Sequence, residues 1–488
     1  VFDRMRFALT KINPSGFVAI FALVFAYILF KIFNVPITHD EVATTVFYSK
    51  TSIWDIIMYK NPLPNNHILN TLLTKLCLFV FGAEDWIIRI PNLLSFILYA
   101  IGAYRIVKAI LPKDSLFYIP AALLFVASPY VLDFFGLCRG YGMSVAFCTL
   151  SVGYVITGFS NFNRKKICYG LTFAMLASYA NFTLLVFWAA ITLLTWIYFY
   201  FDFKKNNSNL IKPTLYLFLS SAAYITLIAI PLYKMQNTEQ FEFWTSTGFF
   251  NETILPLVHH SKYDSRIFIT SDFIAWFSVA LLLFNSIYIL IELKKLGSKL
   301  DLLSKPITIA TLIILLTAGI NMLQVLILDT PNLNGRTALF FYPLFIIALI
   351  SSYDFFKNRN LVGFRIGFSI LMTALLIHHV VHTAKPYSVR EWSYDSNTLK
   401  VTEWIYNHSD RGGASLATNW IFNPSFQFYV YVDECSRLDL KPSNREINPN
   451  IGVDYYYIME EDYPLLKEKF RPVLKFENKC WLLRRIPD

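Results

Sequence analysis

Apolar runs of membrane length recur along almost the whole chain. A helix needs about 20 mostly apolar residues to cross a bilayer. Stretches of that kind fall near 14–33, 86–107, 116–132, 142–160, 167–180, 182–201, 213–233, 272–292, 306–327, 337–353 and 361–381. Lipid offers backbone polar groups no partners, so runs like these must become helices. Composition agrees: of 488 residues, 55% are hydrophobic and 16% charged, with a mean hydropathy of +0.46. Soluble proteins are about 25% charged. A soluble multidomain enzyme and a disordered chain are excluded, and the apolar excess is too widely spread for one anchor on a soluble body. The expected fold is a polytopic α-helical membrane protein.

A twelfth stretch, His67 to Phe81, is interrupted by Asn70, Thr71, Thr74 and Lys75. That pattern predicts an amphipathic helix lying at the membrane interface. The positive-inside rule tests this. If residues 67–81 do not cross, then Arg4, Arg6, Lys11, Lys108, Lys113, Arg164, Lys165, Lys166, Lys204, Lys205, Lys212, Lys294, Lys295, Lys299, Lys305, Lys357, Arg359 and Arg365 share the N-terminal side. If they do cross, every basic loop after the first moves outside. The expectation is therefore about 11 spans in a bacterial inner (plasma) membrane, with the N-terminus cytoplasmic and a long first outer loop at about 34–85. The net charge of +10 then reflects topology, with no nucleic acid as partner.

Residues 1–382 form this membrane module. Residues 383–488 have globular composition and contain no span, which predicts an extracytoplasmic α/β domain. Helices are expected at 396–408 and 461–469, and strands at Ala414–Thr418, Tyr455–Met459, Pro472–Phe476 and Lys479–Leu483. Cys435 and Cys480 are its only cysteines, and spacing alone leaves open whether they pair.

Ionisable residues gather at the outer ends of the spans. The first outer loop opens with Thr38-His39-Asp40-Glu41 and continues to Asn66-His67 and Lys75. The next outer loops bring Asp133, Arg139-Gly140-Tyr141, His259-His260 and Asn334-Gly335-Arg336. Each has an ordinary reading. Asp40-Glu41 could cap a juxtamembrane helix, Arg139 could snorkel to the surface, Arg336 could anchor at the interface, and His259-His260 read as loop residues. Together they suit acid/base chemistry on a phosphate-bearing substrate. A guanidinium fork matches phosphate in two-point geometry, and a carboxylate can accept a proton from an attacking hydroxyl. A divalent metal could sit where two acids meet, but no ligand spacing demands one.

In chain order, Asp40-Glu41, Asn66-His67-Ile68-Leu69-Asn70, Leu78-Phe79-Val80-Phe81-Gly82, Trp86-Ile87-Ile88-Arg89-Ile90-Pro91, Ser128-Pro129-Tyr130 and Arg139-Gly140-Tyr141 form a series. It resembles the polyprenyl-phosphate-dependent GT-C type glycosyltransferases, which include protein O-mannosyltransferases and the lipid A aminoarabinose transferase. The resemblance covers roughly 34–160, and the later spans by general architecture. It implies transfer of a sugar from a polyprenyl-phosphate donor to a glycolipid, glycan or protein acceptor on the extracytoplasmic side, by a single displacement. Asp40 matches the family's first-loop acid and Glu41 its neighbour. His67, following Asn66, matches the histidine of a His-Pro-Pro-Leu-like segment whose prolines are here Ile68-Leu69. Arg139 and Tyr141 match an Arg-x-Tyr element, and Asp133 is a candidate second acid. Arg336 is assigned by chemistry and position; with Arg139 and Lys75 it would hold the leaving phosphate. The alternative is a lipid-linked sugar flippase or transporter, which calls for repeated halves and charges at mid-membrane.

Overall fold

A computed structural model describes every residue except 1, 238–246, 264, 266–268, 296–297, 357–361, 410–412, 433–437 and 488. Helix α1 (Phe2–Asn34) leads into the first loop, which holds α2 (His39–Val42), a π-helical turn Ala43–Tyr48, α3 (Ile53–Ile57) and α4 (Ile68–Phe81). Next come α5 (Asp85–Ile110), α6 (Tyr118–Val126), α7 (Pro129–Asp133), α8 (Gly140–Ser160), α9 (Arg164–Ala180), α10 (Leu185–Asn206) and α11 (Ile211–Gln236). The remainder of the bundle is α12 (Leu255–Lys262), α13 (Ser271–Lys295), α14 (Lys299–Leu303), α15 (Pro306–Leu328), α16 (Phe341–Phe356) and α17 (Val362–Thr383).

Among the described residues, eight helices are long and apolar enough to cross a membrane: Asn13–Asn34, Asp85–Ile110, Gly140–Ser160, Phe182–Asn206, Ile211–Gln236, Ser271–Lys295, Pro306–Leu328 and Arg365–Thr383. The other three expected spans are helical but shorter. The run at 116–132 breaks between α6 and α7, where Ser128 is extended and caps α7 by accepting from Val131 N–H at 3.3 Å. Pro129 causes the break, because a residue before proline avoids the helical region. The runs at 167–180 and 337–353 become α9, of 17 residues, and α16, of 16.

Close packing of α5, α8 and α9 depends on small residues. A Cβ at Gly102 of α5 would lie 2.8 Å from the backbone of Leu150 in α8. This is the usual device where apolar solvent gives helices no hydrophobic drive to associate. At one end Asn13 donates to the Lys113 carbonyl at 2.7 Å, Ser160 to the Ser304 carbonyl at 2.8 Å, and Lys205 pairs with Asp301 at 2.6 Å. The acid-bearing loop lies at the other end.

Helix α4 stays at that second end throughout. Its Asn70 donates to the Cys138 carbonyl at 3.2 Å and accepts from Asn92 at 2.7 Å, while Leu78 packs with Val42 and Ile88. Its amphipathy runs opposite to that of a surface-bound helix. Asn70, Thr71 and Thr74 are buried, and Leu76, Phe79, Val80 and Phe81 are exposed. The polar stripe finds its partners in protein, which leaves the apolar face free for lipid.

Residues after α17 build a five-stranded sheet in the order β2-β1-β3-β5-β4, from β1 (Ala414–Thr418), β2 (Leu438–Leu440), β3 (Tyr455–Met459), β4 (Phe470–Lys475) and β5 (Cys480–Arg485). Strand β1 is parallel to β2 and β3, and β5 is antiparallel to β3 and β4. Helices α18 (Thr398–His408) and α19 (Asn423–Tyr431) supply Val401, Ile405 and Phe426 to one face of the sheet, beside Tyr455 and Tyr457. Tyr456 and Ile458 point to the other face with Phe470, as the two-residue period of a strand requires. The helix expected at 461–469 is instead the 3-10 turn Glu460–Leu465, because Pro464 inside it has no N–H to continue an α-helix.

Candidate active site

Thr38 is extended and caps α2, and Glu41 accepts from Thr38 N–H at 3.0 Å and from its hydroxyl at 2.9 Å. This capping box starts the helix. Neighbouring side chains on a helix diverge by about 100°, so Asp40 and Glu41 face different surroundings.

Glu41 is fully buried and meets Arg89 side-on, with Nε and Nη2 both at 2.8 Å from its two oxygens. Cys138 N–H adds a third partner at 2.7 Å. The other guanidinium hydrogens reach the carbonyls of Ile32 at 3.1 Å, Val35 at 2.6 Å and Pro36 at 2.9 Å. The Ile32 carbonyl is one that the end of α1 leaves open, and those of Val35 and Pro36 belong to the chain just past it. Burial opposes ionisation of Glu41, but Arg89 and the backbone donors hold its carboxyl below the ordinary value. Its lone pairs are committed within the protein.

Asp40 has a different set of partners. Its Oδ2 lies 3.3 Å from Arg139 Nη2 and 3.2 Å from Arg336 Nη1. Arg139 Nη1 also donates to the Asp40 carbonyl at 3.1 Å. Burial alone would raise the carboxyl's pKa, yet the two guanidiniums bring it below the ordinary 3.8. Arg139 is fully buried, and its Nε and Nη2 lack a hydrogen-bond partner of good geometry, as do Asp40 Oδ2 and His67 Nε2. Buried donors and acceptors left open are costly, so their convergence marks a place shaped for a polar ligand.

Elements distant in sequence deliver these groups. Arg139 is the N-cap of α8 and His67 the N-cap of α4. A Cβ at Gly140 would stand 2.2 Å from the Ala180 carbonyl and 2.7 Å from His67, so only glycine lets the first turn of α8 approach that ring. Tyr141 lies edge-on to His67, with ring centroids 4.8 Å apart, and its ring sits 5.9 Å from the Arg139 guanidinium. Burial and the two arginine charges push the His67 pKa well below its usual value, which keeps the imidazole neutral. Arg336 comes from the 3-10 turn Gly335–Ala338 and lies over the ring of Trp392 at 5.2 Å.

The remaining expected site residues point elsewhere. Asp133 is held by Lys31 Nζ at 2.5 Å, Tyr263 Oη at 2.8 Å and Arg390 N–H at 3.1 Å. Lys75 donates to the carbonyls of Ser49 at 2.7 Å and Thr51 at 2.9 Å, just past the π-helical turn. Asn66 shapes its own loop, accepting from Thr71 at 3.1 Å and donating to the Asn61 carbonyl at 3.1 Å. Among the described residues no group of three or more His, Cys, Asp or Glu side chains is arranged to hold a metal. Cys435 lies outside the described residues, so its pairing with Cys480 does too.

Sequence reasoning missed the roles of Arg89 and Trp392. Arg89 had a signal: an arginine near the start of an apolar run needs a buried partner. Trp392 had none, because only the fold brings it under Arg336.

No protein-family model and no curated protein sequence matches the chain. Among solved structures it is similar to ArnT from Cupriavidus metallidurans in the apo state, at a TM-score of 0.45 and 12% identity over 97% of this chain and 98% of that one. It is also similar to that protein bound to undecaprenyl phosphate, at a TM-score of 0.42 and 11% identity over 97% and 98%.

Proposed function

We propose that this chain is an integral-membrane glycosyltransferase of the bacterial plasma membrane. It moves a sugar from a polyprenyl-phosphate donor to an acceptor on the extracytoplasmic side, with Asp40 as general base. The observation that carries this reading is the Asp40 carboxylate between two guanidiniums at 3.3 and 3.2 Å, with buried open donors beside it. The ordered motif series of the first loop supports the same reaction class.

The chemistry follows from the charges. A donor phosphate takes up the open hydrogens of Arg139 and pairs with Arg336, and the guanidinium charge that had depressed Asp40 is spent on the phosphate. Asp40 regains proton affinity once the donor is bound. The acceptor hydroxyl or amine gives its proton to Asp40 as its oxygen or nitrogen bonds to the anomeric carbon. The bond from that carbon to the phosphate oxygen breaks, and the electron pair goes to the phosphate. The arginines stabilise the growing negative charge, usually the largest catalytic contribution. His67, neutral and with Nε2 open, fits a hydrogen bond to the sugar.

Arg139→Lys and Arg336→Lys keep the charge and lose the fork. Each is expected to weaken binding of polyprenyl phosphate roughly tenfold, the equivalent of one lost charge-assisted hydrogen bond. Titration of the purified protein with undecaprenyl phosphate measures this, and unchanged affinity in both variants would return the arginines to an anchoring role. Arg336→Gln also removes one cation from Asp40. The acid limb of the activity profile is then expected to move to higher pH, because the remaining burial raises the carboxyl.

Topology has its own check. Asn163 caps α9 at the end opposite Asp40. Asn163→Cys and Ser298→Cys are expected to resist an impermeant maleimide in intact cells and to react after permeabilisation. Labelling of intact cells would invert the orientation.

A further inference from the structure

The globular domain reaches into the acid-bearing loop at several points. Tyr429 Oη accepts from Ile37 N–H at 3.1 Å, and the Ile421 carbonyl meets His39 Nδ1 at 2.8 Å. Because a carbonyl only accepts, Nδ1 carries the hydrogen. Between these contacts lies Asp395, in the 3-10 turn Ser393–Asn397 and 1% exposed. Its Oδ2 accepts from His39 N–H at 2.8 Å, and its Oδ1 is 2.9 Å from Ser425 Oγ in α19. His39 is the first residue of α2 and immediately precedes Asp40. Its N–H is one of those a helix start leaves without an internal partner.

We propose that Asp395 is a positioning residue of the Asp40 site: through His39 N–H it fixes the first turn of α2 and so holds the Asp40 carboxylate between Arg139 and Arg336. The sequence reading did not include this residue. The inference deepens the transferase reading and rests on it for the catalytic consequence alone; the mechanical coupling stands by itself.

The chemistry of Asp395 suits such a clamp. Among the described residues it has no ion-pair partner, and the titratable groups facing it are the carboxylates of Asp40 and Glu41 on α2, the phenols of Tyr394 and Tyr457, and the thiol of Cys480 on β5. A buried carboxyl without a cation, next to two carboxylates, favours the protonated form, and burial followed by these charges does raise it well above the ordinary value. Ser425 Oγ donates to Oδ1, and Oδ2 accepts from His39 N–H. An asparagine keeps both contacts: its carbonyl accepts from His39 N–H, and its amide donates to Ser425 Oγ, since a hydroxyl can accept as well as donate. Alanine reproduces neither.

The test compares Asp395→Asn and Asp395→Ala in the full-length protein by amide hydrogen exchange and by transfer from a polyprenyl-phosphate hexose. Alanine is expected to speed exchange of the peptide spanning 37–42 about tenfold, leaving the sheet of the globular domain unchanged, while asparagine stays within twofold of wild type. Turnover should fall roughly 100-fold in the alanine variant, as for a base displaced by about 1 Å. The donor KM should hold, and asparagine should restore the rate. Unchanged exchange at 37–42, or faster exchange across the whole domain, would overturn the assignment, as would an asparagine variant as impaired as alanine. If Asp395→Ala cannot be purified, Ser425→Ala frees one side of the clamp and should show the same local change at two- to threefold. Exchange needs no substrate. A wild-type protein that neither binds undecaprenyl phosphate nor transfers sugar would therefore sink the transferase reading while the clamp is still decided.

Discussion

Asp40→Asn is expected to remove nearly all transfer activity and to leave the protein folded. The amide keeps the size of the carboxylate and can still accept from Arg139 and Arg336, so both guanidiniums retain a partner. What it lacks is proton affinity, and the loss of a general base costs about 10²–10⁴-fold. Asp40 does not itself cap α2, since that role belongs to Thr38 with Glu41. The melting temperature in detergent should therefore stay close to wild type. Affinity for polyprenyl phosphate is expected to hold or rise, because the phosphate no longer competes with a carboxylate for the two arginines. Full activity in the variant would remove Asp40 from the chemistry.

Arg89→Met is expected to be among the most destabilising single changes in the chain. It leaves the Glu41 carboxylate buried without its cation and strips donors from the carbonyls of Ile32, Val35 and Pro36. Breaking one side of a buried pair costs about 3–5 kcal/mol, chiefly through the charge left behind. Denaturant or thermal unfolding in detergent measures the loss. The double variant Glu41→Gln/Arg89→Met should recover part of it, because no charge then remains in the cavity. The pH dependence has a definite sign. Glu41 is held below its ordinary 4.5 when folded. The pair's contribution is thus complete above that value and is lost as pH falls through the lowered one. The gap between wild type and Arg89→Met should narrow in acid. A gap that is the same at neutral and low pH would mean the ion pair does not carry the stability.

Much of the architecture was legible in the chain itself, because lipid leaves an apolar run so few choices. The long runs became helices, and the basic loops and the polar breaks in 67–81 already pointed to a helix that does not cross. Ala414–Thr418 and Tyr455–Met459 appeared as strands at the expected bounds, since short apolar, aromatic-rich segments between turn residues allow little else. Strand β2 was not legible: its three residues carry too short a pattern, and its pairing with β1 decides it. Nor was the facing of α4, because the same polar stripe serves water or a protein interior equally well.

The sequence alone determined that acids, arginines and a histidine would gather at one end of the bundle, as the parity of the spans dictates where each loop emerges. It also supplied Asp40, Arg139 and Arg336 as the groups able to handle a proton and a phosphate. Tertiary structure alone decided how these charges were divided. Asp40 and Glu41 are adjacent in the chain, yet one faces two guanidiniums and the other is sealed against Arg89. Asp133 is given to Lys31, and Asp395 reaches Asp40 through a single backbone N–H from a domain more than 350 residues away. The physical reason is that the strength of a charge interaction depends on distance through space and on the exclusion of water. Spacing along the chain encodes neither until the helices have packed.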